Sequence, residues 1–125
     1  MIENSSLIVV GAIYNFAFAI FHLGFWKLFK WENDLKQLFF ANRAIIQIFN
    51  VLGIFYFICM GIICLSFGQD LLNTKLGHAV LLMNSVFWLI RFILQFVYLR
   101  RNHWILHLLT FVFFCGFILF LIPII

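Results

Sequence analysis

The sequence predicts an all-α membrane protein: an antiparallel bundle of four transmembrane helices with both termini outside. Three observations lead there. Of the 125 residues, 66% are apolar and 10% charged, whereas a soluble domain carries about 45–50% apolar and about 25% charged residues. Too few polar side chains exist to cover a wettable surface, which excludes a cytosolic globular protein. Four apolar stretches also exceed the roughly 18 residues that mark a crossing helix, and the basic residues are dense in alternate loops only. Four crossings of about 20 residues consume about 80 and leave roughly 45 for ends and loops. That leaves no room for a soluble catalytic domain. Nucleic acid is excluded as a partner because the net charge of +4 is not gathered on any hydrophilic module. With no linker rich in Gly, Pro or Ser, residues 1–125 read as a single membrane domain.

The first span is placed at residues 7–29. Its basic residues, Lys27 and Lys30, come at its end rather than its start and no small-residue cleavage site follows, so it reads as a retained helix rather than a leader. Residues 30–38, with Trp31, Glu32, Asn33, Asp34 and Lys36, predict a short interfacial turn. The second span covers residues 39–67, closed by Gly68, and a solvated outer turn carries Asp70 and Lys75. The third covers 76–99, with Gly77 flexing its start, and the fourth 104–125. Barrel strands would alternate apolar with polar residues, and runs such as 111–114 and 119–122 do not.

Orientation follows from the lysines and arginines, since basic loops stay cytoplasmic. Lys27, Lys30 and Lys36 in the first loop and Arg100 and Arg101 in the third stand against Lys75 alone in the second, five against one. Loops one and three therefore face the cytoplasm. Trp26, Trp31 and Trp104 sit at the same boundary, where amphipathic rings prefer the headgroup level.

Each span carries one polar stripe at helical spacing: Asn15, His22 and Trp26; Arg43, Gln47 and Asn50; Asn84, Trp88, Arg91, Gln95 and Tyr98; His103, His107 and Thr110. Stripes of this kind turn away from lipid, because polar groups facing hydrocarbon go unpaired. At about 1.5 Å per residue, Arg91 and His22 each lie roughly 13 Å inside the cytoplasmic edge. Asn50 reaches a similar level, Gln47, Gln95 and His107 form a shallower layer, and Arg43, Tyr98 and His103 form a rim. All four acids, Glu3, Glu32, Asp34 and Asp70, lie outside the spans, so Arg91 has no carboxylate at its own depth. Its partners are then amide carbonyls, water or an anionic ligand. Two readings follow: interhelical glue that fixes register, or a pocket in which a guanidinium grips a carboxylate or phosphate.

Four histidines raise haem and metal as alternatives. His103 and His107, at i and i+4, have the spacing that places two imidazoles on one metal, and His22 pairs with His107 in a bis-His haem reading. Cys59, Cys64 and Cys115 form no Cys-x-x-Cys pair and read as small hydrophobes.

Arg43-Ala44 with Gln47 and Asn50, and Arg91 with Gln95, Tyr98 and Arg100, resemble the second- and third-helix patterns of the membrane-associated eicosanoid and glutathione metabolism family. That resemblance implies four helices and a glutathione site on the cytoplasmic side at a subunit interface. Gln47 stands where that family has asparagine, Asn50 where it has glutamate, and its following proline is absent. His22-Leu23-Gly24-Phe25-Trp26 with Asn42-Arg43-Ala44 resembles a group of small bacterial four-helix membrane proteins without an assigned function. That second resemblance implies a bacterial inner membrane with periplasmic termini.

The expected function is an accessory or binding role, with a cytoplasmic-side pocket for an anionic amphipath such as a membrane lipid. His22, Arg43, Gln47, Asn50, Arg91, Gln95, Tyr98 and His107 are the candidate ligand-binding residues. The competing classes are a glutathione- or thiol-dependent membrane enzyme and a haem- or metal-binding redox bundle. A homodimer or trimer is also considered. Gly53 and Gly61 share a face, but Phe57 between them interrupts any small-xxx-small seam.

Overall fold

The computed structural model describes residues 3–125, which are helical apart from short turns, with no strand among the described residues. In chain order the helices are α1 (Asn4–Leu23), α2 (Phe25–Leu28), α3 (Trp31–Asp34), α4 (Phe40–Ser66), α5 (Gly68–Asn73), α6 (Lys75–Tyr98) and α7 (Trp104–Leu121). Four segments, Asn4–Leu23, Phe40–Ser66, Lys75–Tyr98 and Trp104–Ile124, are long and apolar enough to cross a bilayer. Their outer faces are apolar: Phe49 and Phe55 on α4 are 69% and 66% exposed, and Phe111 on α7 is 64% exposed. Water would penalise such surface at about 25 cal/mol per Å². Hydrocarbon removes that cost.

The first span ends earlier than the expected residue 29. Gly24 closes α1 at φ −84° and ψ 0°, its N–H shared between the carbonyls of Ile20 and Phe21 at 3.3 and 3.1 Å. The one-turn α2 follows, and Lys30 then adopts a left-handed conformation at φ 53°. Apolar composition continues through this break, so a hydropathy reading runs past it. Aromatic edges hold the turn instead: Phe25 meets Trp31 at 5.7 Å and Trp26 meets Trp31 at 6.0 Å between centroids. Leu35, 4% exposed, anchors the 3-10 turn Leu35–Gln37 that leads into α4.

Contact density divides the chain into two compact units, Ala12–Ile63 and the remainder, Met1–Gly11 with Cys64–Ile125. In the first, α1 packs on α4. Phe57 lies 5.7 Å from Phe18 and 5.1 Å from His22 between centroids, and Phe18, Phe57 and Met60 are buried. Both glycines of α4 face α1 here. A Cβ on Gly61 would fall 2.6 Å from the Phe16 ring, and one on Gly53 would touch His22 at 3.8 Å.

In the second unit α6 packs on α7. Ser85 Oγ donates to the Phe117 carbonyl at 2.9 Å, Trp88 stacks on Phe113 at 5.8 Å and 17°, and Gln95 Nε2 donates to the Leu106 carbonyl at 3.2 Å. Asn84, Ser85, Trp88 and Gln95 are all buried, so the third polar stripe does turn inward over those positions. The fourth departs from expectation, since the buried face of α7 is Phe113, Gly116 and Phe120 while His103 and His107 are exposed.

The turn between α4 and α6 is more ordered than a solvated loop. Gly68 does not simply close α4, for α5 starts on it. Thr74 then caps α6: its Oγ1 accepts from the Gly77 N–H at 2.9 Å and donates to the Asp70 carbonyl at 2.6 Å. Gly77 is fully buried rather than a point of flexure, and a Cβ there would collide with the backbone of Asp70 and Leu71. The absence of a side chain permits this close approach.

Candidate functional site

In the Ala12–Ile63 unit the polar side chains bond mainly to backbone. His22 Nδ1 lies 2.9 Å from the Phe18 carbonyl, so it carries a proton and donates there. Its ring stacks on Phe25 at 4.3 Å. Asn50 Nδ2 donates to the His22 carbonyl at 3.2 Å, two residues before the break at Gly24, and Gln47 Nε2 donates to the Arg43 carbonyl at 3.1 Å. Asn50 Oδ1 is buried without a hydrogen-bond partner among the described residues. His22 and Asn50, drawn from α1 and α4, are brought together; Arg43 and Gln47 lie along α4, each half-buried.

In the other unit the structure builds a connected network. Arg91, half-buried on α6, sets its guanidinium carbon 4.3 Å from the Phe113 ring centroid, a cation–π placement that offsets part of the cost of charge in hydrocarbon. Its Nη1 donates to Gln95 Oε1 at 3.1 Å. Gln95 in turn donates to the Leu106 carbonyl, which also accepts from Thr110 Oγ1 at 2.8 Å. A guanidinium can only donate and a peptide carbonyl can only accept, so these two partners determine which end of the Gln95 amide faces which way.

This network backs a groove of about 300 Å³ at the α6–α7 turn, where Arg100, Arg101, Asn102 and His107 join Gln95 and Thr110, with Phe96, Leu99 and Leu106 as its apolar wall. No acidic residue lines it. The extended segment between the helices is held by short backbone bonds, Arg101 N–H to the Leu99 carbonyl at 3.0 Å and His103 N–H to the Arg101 carbonyl at 3.1 Å. His107 Nε2 lies 3.0 Å from Asn102 Oδ1, and His103 Nδ1 accepts from the Ile105 N–H at 3.2 Å, capping α7.

Of the eight candidate residues, Gln95 and His107 line this groove and Arg91 stands behind Gln95. Tyr98 is 78% exposed, off the groove. Sequence reasoning did not single out Ser85 and Phe113, and it took Arg100 and Arg101 as orientation signals, with Arg100 also part of a family resemblance, but not as ligand-binding residues. Their adjacency between two spans was a readable sign of concentrated charge. Nothing in the pattern marks Phe113 among the chain's 19 phenylalanines. A second hollow of about 260 Å³, between the start of α1 and residues 64–70, is lined by one charged residue, Asp70. Among the described residues no three His, Cys, Asp or Glu side chains cluster as metal ligands.

Comparison with protein-family models, with curated proteins and with solved structures finds no match to this chain. The two resemblances noted above therefore rest on their motifs alone.

Proposed function

We propose that this chain is a multi-pass membrane protein that holds an anionic amphipath, such as a lipid, at the cytoplasmic end of α6 and α7. The arrangement is read as an antiparallel bundle with both termini outside. Contacts supporting it step in opposite senses within each unit, Ser85 with Phe117 and Gln95 with Leu106, Phe18 with Phe57 and His22 with Asn50.

One observation carries the functional reading: the groove at the α6–α7 turn joins two arginines to an apolar wall and contains no carboxylate. Guanidinium forks match anionic oxygens, while Phe96, Leu99 and Leu106 offer a surface for an acyl chain. Arg91 lies behind this layer rather than in it, and acts through Gln95. The cluster of His22 and Asn50 serves α1–α4 packing on this reading.

Native mass spectrometry of the protein purified from its membrane tests it. The wild type should retain an anionic lipid, Arg100→Gln with Arg101→Gln should lose it, and the paired lysine substitutions should keep part of it. Because both arginines also orient the chain, orientation is checked in each variant by labelling a cysteine at Asn33. Equal retention of anionic lipid by the correctly oriented Gln variant would reject the reading.

A further inference from the structure

We infer that the headgroup held in this groove is a phosphate, and that Arg91 is a positioning residue that turns the groove into a surface of donors. The inference rests on the anionic-amphipath reading above and narrows it. Its basis is which hydrogen-bonding atoms the protein uses internally and which it leaves for a ligand.

The side-chain amide oxygens at the groove, and the Leu106 carbonyl beside them, are already occupied. Gln95 Oε1 takes the Arg91 N–H at 3.1 Å, Asn102 Oδ1 lies 3.0 Å from His107 Nε2, and the Leu106 carbonyl takes both Gln95 Nε2 and Thr110 Oγ1. Donors remain. Arg100 and Arg101 make no ion pair among the described residues and keep their guanidinium N–H groups. Asn102 keeps its Nδ2 hydrogens when its Oδ1 faces His107, and Gln95 keeps the second hydrogen on Nε2. Two forks and two amides offer more donors than the two oxygens of a carboxylate accept comfortably. A tetrahedral phosphate presents more oxygens in more directions, so that two guanidinium forks and the amides can each find an acceptor.

Arg91 and the Leu106 carbonyl together determine this polarity. The Arg91 N–H groups require an acceptor, so Gln95 must present Oε1 to them and Nε2 toward Leu106 and the groove. Without Arg91 the Leu106 carbonyl alone holds the amide by Nε2, and Oε1, no longer engaged, is left as a lone pair near an anion. Positive charge behind the groove adds attraction, but the hydrogen bond gives a separable effect.

The test measures binding of four probes to the purified full chain in neutral detergent: dioleoyl phosphatidate, oleate, dioleoyl phosphatidylcholine and inorganic phosphate. Phosphatidate should bind about ten-fold or more tighter than oleate, the difference expected from one additional charge-assisted hydrogen bond, and phosphatidylcholine should bind weakest. Inorganic phosphate that competes only at far higher concentration identifies a lipid as the source; equal affinity identifies a soluble phosphate and retains the phosphate assignment. Oleate binding as tightly as phosphatidate would overturn the phosphate inference while leaving the amphipath reading in place, whereas no binding by either would overturn both.

A double-mutant cycle tests Arg91. Arg91→Leu and Gln95→Ala should each weaken phosphatidate binding about ten-fold, and together little more than either alone, because they break one relay. Arg91→Lys, which keeps a donor for Oε1, should recover part of the loss. Additive losses would show that Arg91 acts through charge alone and reject the positioning role. Unchanged affinity in folded Arg91→Leu protein with a lowered melting temperature would reject it as well, leaving Arg91 as packing.

Discussion

A charged side chain inside a membrane helix needs partners, because an arginine at the helix centre costs about 2.5–3.5 kcal/mol to insert. Arg91 meets that need with Gln95 Oε1 and the face of Phe113. The first partner follows from i, i+4 spacing on one helix. The second does not, since it lies on α7 and required the register of the pair. Glycines show the same limit. Gly77 stands in the sequence as one small residue near a turn, yet its packing against the Asp70 and Leu71 backbone makes it irreplaceable. Gly77→Ala should lower stability by about 1–3 kcal/mol, the range for overpacking, because backbone cannot give way as a side-chain tip can. Gly68→Ala should cost far less, its Cβ meeting Ile8 Cγ2 at an ordinary 3.5 Å. Chemical or thermal unfolding in detergent compares the two, and an equal effect would contradict the close-approach account.

Among the helices, long apolar runs were legible and their interruptions were not. The starts and ends of α4, α6 and the start of α7 fall within a residue or two of the hydropathy reading, whereas α1 stops at Leu23 and the chain turns through Lys30. Hydropathy sums composition, and the break is made by the backbone at Gly24 and by edge contacts of Trp31, which composition does not record. A left-handed conformation at a non-glycine residue costs about 1–2 kcal/mol. Lys30→Gly should therefore hold or raise stability by up to about 1 kcal/mol, the unfolded-chain entropy of glycine offsetting part of the relief, and Lys30→Val should lower it. The start of α6 offers a second test. Thr74→Ala removes the cap on Gly77 N–H and the bond to Asp70 and should cost about 1 kcal/mol, while Thr74→Ser, which keeps the hydroxyl, should cost little. An alanine variant as stable as the serine variant would show that the cap is redundant.

For the whole molecule, the four crossing-length helices make the chain's direction the next physical question, and the proposed orientation rests on the basic residues. Lys27, Lys30 and Lys36 lie in the first loop and Arg100 and Arg101 in the third, against Lys75 in the second. The same asymmetry bears on the proposed function: in the proposed orientation the groove containing Arg100 and Arg101 lies beside the cytoplasmic leaflet, whose anionic lipids attract basic residues near its surface. The polar stripes were legible over the positions that helix spacing pairs, Asn84 to Gln95 on α6 above all. The groove was not, because its acceptors and donors sort themselves only when α7 lies against α6. Orientation is tested with cysteines introduced singly at Asn33, Asn73 and Asn102, each exposed, in a background from which Cys59, Cys64 and Cys115 have been removed. A membrane-impermeant maleimide added outside intact cells should modify position 73 alone, and positions 33 and 102 should react only after the membrane is opened. Moving Arg100 and Arg101 into the second loop should weaken that contrast, since the bias that selects the orientation would then nearly vanish. Labelling of position 102 from outside would reverse the topology and carry the groove to the other face of the membrane, where that source of anionic lipid would no longer apply.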